Sequence, residues 1–435
     1  MRRSRRRFVL LVALYLLWPV PSVRAQGGSA APAGQSFWQA AAGVAVTNWF
    51  TWAYNWYVQR WPWANVGVES WRQNIRRGFA WDNDCFIDNQ LAHPYHGSMY
   101  HNSARASGYG FWASVPFVAA GSASWELFGE NIPASLNDLI NTTLGGVALG
   151  EVTYRLSTLL GQRRDGRRAG VLGELGAFGL SPLARVQSLV NQRQPGTESS
   201  REVPTTLALG RRSGHPFFEL AVQYGSPFAA GVMRPYDAFD FRIELAPGTT
   251  NVVHQVEISG LLARYSLSQA PENQLLFGVF QHYDYSDLPG IQSGGHSVSA
   301  ALLYQGHLGP RHRLDLNAHA EALLLGGISS DHDYYWRRDF DLGPGAGARL
   351  GASLVRDGRE RLRVDGRLLW IHSIHGSRAD HLASFLRVGA AVPMAGALGV
   401  GGDFALVTRH SIYDGFPSVT RRVPQLRAFL TWAPS

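Results

Sequence analysis

The chain contains no lysine, so all 40 of its basic residues are arginine. It has one cysteine, Cys85, which excludes an intrachain disulfide and a thiolate metal cluster. Cys85 beside Phe86 reads as a small buried core residue. No Gly-x-Ser-x-Gly elbow and no His-Glu-x-x-His string occur, so serine-hydrolase and zinc-protease chemistry lack their usual frames. The first apolar run, Phe8 to Val20, is shorter than the ~20 residues a helix needs to cross a bilayer. An excess of charge of one sign is also missing once the N-terminus is set aside. Six of the arginines, and no acidic residue, lie in residues 1–25, which leaves 34 basic against 32 acidic groups. The basic pI is thus a property of the leader, and nucleic acid is not an implied partner.

That leader reads as an export signal. Arg2, Arg3, Arg5, Arg6 and Arg7 form a positive start, the apolar run follows, and Val23-Arg24-Ala25 offers small residues for cleavage near Ala25. Residues 1–25 are therefore expected to be a signal peptide and residues 26–36 a flexible Gly/Ala/Ser/Pro leader. The destination is the Gram-negative envelope, through the periplasm to the outer membrane.

Two halves with different periods follow. Residues 37–192 read as a helical module. Its first segment, Phe37 to about Arg60, is crowded with Trp38, Trp49, Trp52 and Trp56, which suits a lipid interface or an aromatic packing layer. Further helices are expected over 97–131 and 134–160, interrupted at Pro116 and Pro133. Gly146-x-x-x-Gly150 allows close approach of another helix. A short helix is expected over 180–191, then a polar linker over 192–202.

From about Val203 the period becomes two. Phe239, Phe241, Ile243 and Leu245 alternate with Asp240, Arg242 and Glu244, and the same alternation recurs through Leu362–Trp370 and Leu426–Trp432. Twelve such segments appear, near 204–212, 216–225, 237–246, 252–266, 274–285, 296–307, 312–325, 345–356, 360–372, 381–393, 398–410 and 423–432. An even number of ~10-residue alternating strands is the pattern of a transmembrane barrel. The expected fold class is α+β: an N-terminal helical module, then an antiparallel transmembrane β-barrel of about 12 strands over residues 203–435. The polar strand faces carry both signs, which suits ion pairing inside a narrow lumen. Such a barrel implies outer-membrane lipid and the barrel-assembly machinery as partners, and leaves the oligomeric state open.

The module holds a dense polar run. Asp82, Asp84, His93, His96, Tyr100, His101, Arg105, Glu126, Glu130, Asp138 and Glu151 sit among Phe, Trp, Leu and Val. Burying such groups costs several kcal/mol unless they are paired or used. The strings Trp81-Asp82-Asn83-Asp84, Asn89-Gln90, His93-Pro94-Tyr95-His96-Gly97-Ser98, Ala104-Arg105, Trp125-Glu126, Asn137-Asp138-Leu139-Ile140 and Gly145-Gly146 resemble a bacterial envelope family, the domain of unknown function DUF3943. Gly343-Pro344-Gly345 and Pro424-Gln425-Leu426-Arg427 extend the similarity toward the C-terminus. The resemblance implies an envelope protein with a helical module before a barrel, and no established activity.

Candidate catalytic residues are His93, His96, Asp84, Arg105, Glu126, Glu130 and Asp138. In one reading a histidine activates water or a hydroxyl, a carboxylate orients it, and Arg105 holds an anionic group on an envelope lipid or glycolipid. The enzyme would then be a hydrolase or transferase using His/Asp acid-base chemistry. His93-x-x-His96 with nearby carboxylates also admits a divalent metal; no other cofactor is implied. A third reading makes the cluster a packed network, with Arg105 paired to Glu126 or Asp138. The competing function is a non-enzymatic barrel with a helical plug, acting as a pore, transporter or scaffold.

Overall fold

The computed structural model describes residues 35–162, 168–190, 203–231, 233–247, 251–270, 272–288, 290–332 and 339–433. The expected signal peptide and the expected 192–202 linker lie outside the described residues. The helices are α1 (Phe37–Ala53), α2 (Val68–Arg77), α3 (His93–Ala106), α4 (Phe111–Phe128), α5 (Leu136–Leu160), α6 (Val171–Leu180) and α7 (Pro182–Val190). A π-helical turn, Tyr54–Gln59, continues α1, and another, Asp88–Ala92, leads into α3. Helix α4 runs through Pro116 instead of breaking there.

Strands β1 (Thr205–Arg212), β2 (His215–Tyr224), β3 (Phe239–Leu245), β4 (Val253–Ala270), β5 (Asn273–Leu288) and β6 (Ile291–His307) make the first half of the sheet. The second half is β7 (His312–Ser329), β8 (Phe340–Arg356), β9 (Arg359–His372), β10 (Ala379–Ala395), β11 (Leu398–Tyr413) and β12 (Val419–Trp432). Each strand pairs antiparallel with its chain neighbour, and β1 pairs with β12 to close the barrel. Closure removes the free edges that an open sheet would leave. The period-two alternation of the sequence is what lets one strand face be apolar and the other charged.

The charged face points inward. Arg387 on β10 donates to Gln255 on β4 at 3.2 Å, and these strands stand six apart in the ring of twelve, so the bond spans the lumen. Arg349 and Arg367 hold Glu321 at 2.7 and 3.0 Å, and both also pair with Asp284. Arg427 pairs with Glu219 and Glu244, each at 2.7 Å, and with Asp403. Because each cluster carries both signs, its members offset one another's desolvation. The outer face is apolar, with Leu209, Leu350, Leu368, Trp370, Leu386, Val392, Phe404, Leu426, Leu430 and Trp432 exposed.

Register shows where the helices sit. On β5, His282 and Asp284 face the lumen, so Gln281, Tyr283 and Tyr285 point out. Tyr283 donates to the Gln90 carbonyl at 2.7 Å, Gln281 donates to the Leu144 carbonyl at 3.1 Å, and Tyr285 stacks on Phe86. Tyr224, Phe239, Phe241, Val256, Ile258, Leu325 and Leu342 belong to the same buried cluster as Ile140, Leu144, Val147 and Val152 of α5. The helical module therefore packs on the outer wall of the barrel, across β2 to β8. It is not a plug in the lumen.

Candidate functional site

The polar run resolves into three separate places. At the first, the segment before α3 is clipped to the start of α5. Ala80 donates to the Ala134 carbonyl at 2.9 Å and accepts from the Leu136 N–H at 2.7 Å, which fixes Trp81–Asp84 beside the α5 N-terminus. Ser135 caps α5 by accepting from the Asp138 N–H at 3.2 Å. Asn137 donates to Asp82 Oδ1 at 2.6 Å and to Asp138 Oδ1 at 3.1 Å, while the Asp82 N–H donates to Asn137 Oδ1. Unpaired N–H groups at a helix start favour carboxylates, and this placement exploits that.

His93 completes the group. Its Nδ1 lies 3.1 Å from the Thr142 hydroxyl, and its Nε2 lies 3.4 Å from Asp138 Oδ1. Ligand atoms of Asp84, His93 and Asp138 all lie within 4.8 Å of one another. Glu126 is buried beside them. One oxygen accepts from the Ser135 N–H at 2.9 Å and the other, Oε1, has no hydrogen-bond partner. Glu130 accepts from the Trp125 indole at 2.9 Å.

Crowded carboxyls in a dry site cannot all ionise. Burial pushes Asp138 well above the usual carboxyl range, and Asp82 adds to this through its charge and its hydrogen bond. Burial also acts upward on Asp82, yet the hydrogen bonds from Asp138 and Asn137 bring it below its ordinary value. The two carboxyls are thus shifted in opposite directions, Asp138 toward keeping a proton and Asp82 toward losing one. Burial, then the Glu130 charge, raise Glu126 well up. Burial with Asp84 pushes Glu130 up to about 8. Burial lowers His93, against the attraction of Asp82 and Asp88. A neutral imidazole beside a protonated acid and an ionised one is a set that can take and give protons near neutral pH.

The second place holds His96. Its Nε2 lies 3.0 Å from the Tyr100 hydroxyl and 3.3 Å from that of Thr51, and Tyr100 also donates to Asn48. Burial lowers His96 to about 3, with His93 adding to the effect. His93 and His96 share a helix but look into different surroundings, so they do not form a histidine pair on one ligand.

The third place holds Arg105. Its guanidinium pairs with Glu151 at 2.8 Å, donates to the Tyr109 carbonyl at 2.7 Å and covers the Tyr154 ring. Glu151 is also held by Arg155 at 2.7 Å and His101 at 3.0 Å. Arg105 is thus neither paired with Glu126 or Asp138 nor placed to hold an anion at the first cluster. Arg155 continues to Asp237 on the barrel side at 3.1 Å.

Cys85 is exposed, not buried, and donates to Asp88 at 3.0 Å. Desolvation and Asp88 push its thiol up to about 11, which removes it as a nucleophile at neutral pH. Sequence reasoning gave Asn137 only as part of a motif, and it missed two contributors, His296 and His375. Asn141 Oδ1 accepts from His296 Nε2 of β6 at 3.2 Å, and His375 in the β9–β10 turn donates to the Asp82 carbonyl at 2.8 Å. The histidines sit far along the chain, inside or next to strands, where spacing gives no hint of the module.

Residues 78–183 match the family model described as domain of unknown function (DUF3943). The match lies within the helical module. No curated protein matches the chain. Among solved structures, the chain is similar to the NanC porin, at 10% identity over 52% of this chain and 98% of the porin, with a TM-score of 0.27. It is also similar to the outer membrane channel DcaP of Acinetobacter baumannii, at 7% identity over 53% of this chain and 96% of that one, TM-score 0.23. A third is the COG4313 outer membrane channel from Pseudomonas putida F1, at 14% identity over 55% and 99%, TM-score 0.25.

Proposed function

We propose that this is an outer-membrane barrel protein whose DUF3943 module binds or processes an envelope lipid at the Asp82/Asp84/His93/Asp138 cluster. One observation carries the reading. The cluster lies in a module docked on the apolar outer wall, the side a bilayer would wet, and not in the lumen. The module's own surface fits the same surroundings. Trp38, Trp49, Phe50, Tyr57 and Val58 of α1 and the turn after it are exposed, Trp38 by 80%. Large exposed aromatics in water mark an interaction surface, and Trp and Tyr favour the bilayer interface. Among the described residues no helix is long and apolar enough to cross a membrane; in this reading the strands, apolar on their outer face, are the spanning elements.

In this reading His93 accepts a proton from water or a lipid hydroxyl while Thr142 fixes its ring. Asp138, beside the His93 ring, gives a proton to the leaving group. Exchange of acyl or headgroup moieties by such a set is a hydrolase or transferase step. The test uses protein purified in detergent and reconstituted with labelled bacterial phospholipid and lipopolysaccharide. Expected are lipid turnover or tight lipid retention by wild type, and their loss in His93→Gln with an intact barrel. Unchanged lipid in wild type, together with ion conductance in planar bilayers, would move the assignment to the pore reading.

A further inference from the structure

We infer that the exposed arginine edge of α2 holds the headgroup phosphates of a lipid A-type glycolipid in the outer leaflet of the membrane. The inference rests on reading the module as lipid-binding and names the class of lipid. Arg105, the arginine expected to hold an anion, is taken up by Glu151. Other arginines are available. Arg72, Arg76 and Arg77 are exposed on α2, and Arg60 is exposed on the turn before it. Among the described residues none of the four forms an ion pair. From Tyr54 to Trp81 the chain carries these four arginines against one acid, Glu69, which accepts from Gln73 at 3.1 Å. Arg60, Arg76 and Arg77 end helical segments, where a cation suits the dipole. Arg72 stands mid-helix and has no such reason.

The same face presents apolar side chains. Val68, Arg72, Ile75 and Arg76 stand at i, i+4, i+7 and i+8, so apolar and basic groups share one side of the helix. Val68 and Ile75 are exposed by 57% and 59%, and Trp61 and Phe79 are exposed at either end of the segment. A helix of this kind suits the plane of a membrane surface, its apolar groups entering the boundary and its cations at phosphate depth. The seat is preformed. On the opposite side, buried Asn74 donates to the Glu130 carbonyl at 2.9 Å, and the Trp71 indole donates to the Phe128 carbonyl at 2.9 Å. The Asn131 N–H holds the Trp63 carbonyl at 2.9 Å, which fixes the turn that follows Arg60.

Topology points to the leaflet. Helix α5 runs along the wall from one end of the barrel toward the other. Its start meets the β9–β10 turn, where His375 donates to the Asp82 carbonyl and stacks on Trp81. Its later part meets the β2–β3 connection, where Arg155 pairs with Asp237. In this antiparallel ring the β2–β3 connection lies at the end that carries both barrel termini, and the β9–β10 turn lies at the far end. At the terminal end the connections 271–272, 308–311, 357–358 and 396–397 are short, and the longer 225–238 is the one bonded to the module. At the far end 246–252, 330–339, 373–378 and 414–418 are longer, beside the short hairpins 213–214 and 289–290. Bacterial barrels keep short turns in the periplasm and longer loops outside. Helix α2 belongs to the far, external end, because Ala80 just after it is clipped to Ala134 and Leu136 at the start of α5. Exposed Trp370, near the far end of β9, marks the membrane interface at the same end of the barrel. The phosphate-bearing lipid of that leaflet in a Gram-negative envelope is lipopolysaccharide, whose lipid A combines clustered phosphates with acyl chains.

The test is lipid binding by the full-length protein in detergent micelles, read by native mass spectrometry. The probes are bisphosphorylated lipid A, the same lipid with its phosphates removed, and phosphatidylglycerol. Lipid A is expected to bind about tenfold more tightly than either of the others, and to weaken as salt is added. Arg72→Gln together with Arg76→Gln should weaken lipid A binding about tenfold. Arg311→Gln together with Arg356→Gln removes the same charge from exposed positions at the terminal end and should leave binding unchanged. All four positions are exposed, and circular dichroism checks the fold. Orientation is read on intact cells with a membrane-impermeant maleimide, on a Cys85→Ser background. Ser418→Cys at the far end should be labelled and Asp357→Cys at the terminal end should not. Equal binding of the dephosphorylated lipid, equal loss in the control pair, preference for phosphatidylglycerol or a reversed labelling pattern would each overturn the inference. Lipid A held through the arginines but retained and unaltered alike by wild type and His93→Gln would overturn the cluster reading alone. Lipid turnover that needs His93 and ignores the α2 changes would overturn the arginine site alone.

Discussion

Glu151 and Asp138 are both buried carboxyls on α5, and their neighbours give them opposite behaviour. Burial acts upward on Glu151, but Arg105 and Arg155 outweigh it and hold the carboxylate well below its usual range. Asp138 lacks such partners and is pushed up. Replacing Glu151 by Gln should therefore remove the carboxylate that Arg105 and Arg155 share and cost about 3–5 kcal/mol of module stability, read from thermal melting of the helical signal. The pH response separates the two kinds of site. Glu151 has its folded value depressed, so its contribution is complete above about pH 4.5 and is lost only as pH falls below that. His93, His96 and His101 are lowered by burial, so their titration ends below about pH 6.5. Glu130, raised from 4.5 to about 8, keeps its proton when folded, so stability falls as pH climbs toward 8. Between pH 6.5 and 8 the protein should lose stability, and Glu130→Gln should flatten that decline. A wild-type curve with no slope in this window would contradict the carboxyl crowding.

At the scale of elements, the contact that builds the site is the crossing of α3 and α5. A β-carbon on Gly97 would sit 2.0 Å from the Thr142 carbonyl, and one on Gly146 would sit 2.5 Å from the Gly97 backbone. Only glycine lets the two backbones meet, which brings His93 to Thr142 and Asp138. Gly97→Val should wedge the helices apart at a cost of about 1–3 kcal/mol or more. Limited proteolysis should then cut the module while the barrel strands stay protected. Gly146-x-x-x-Gly150 made a close helix approach legible in the sequence, and Gly146 meets Gly97 while Gly150 meets His101. The twelve strands were legible too, because alternation of Leu and Arg along Leu362–Trp370 is set by the pleat alone. The partners of the site were harder to read. His93 and His96 are one helical turn apart, yet α3 is packed on most of its sides, so each meets a different neighbour. Pro116 looked like a break, but α4 accommodates it within a continuous helix.

Across the whole molecule, the lumen is lined with ion pairs, and Arg387 reaches across it to Gln255. Wild-type protein in planar bilayers is expected to give no stable conductance steps. Changing Asp284, Glu321, Arg349 and Arg367 together to Ala removes both signs at once and should introduce them. Steps of equal size in both proteins would show that the laced wall does not close the path. Where the module docks was not legible, because an apolar outward strand face looks the same whether lipid or helix covers it. Gln281 and His296 were the exceptions available, polar residues on an outward face, and both bond the module.

The outer-wall position of the helices has a consequence for how the protein is made. The module lies earlier in the chain than every strand, yet its seat is a surface shared by β2 through β8. That seat does not exist until those strands have zipped together. The segment synthesised first is therefore completed last, and it must wait with its carboxylates and tryptophans uncovered while the barrel closes. Any factor that shelters the newly exported chain has this module, rather than the strands, as the part needing longest custody.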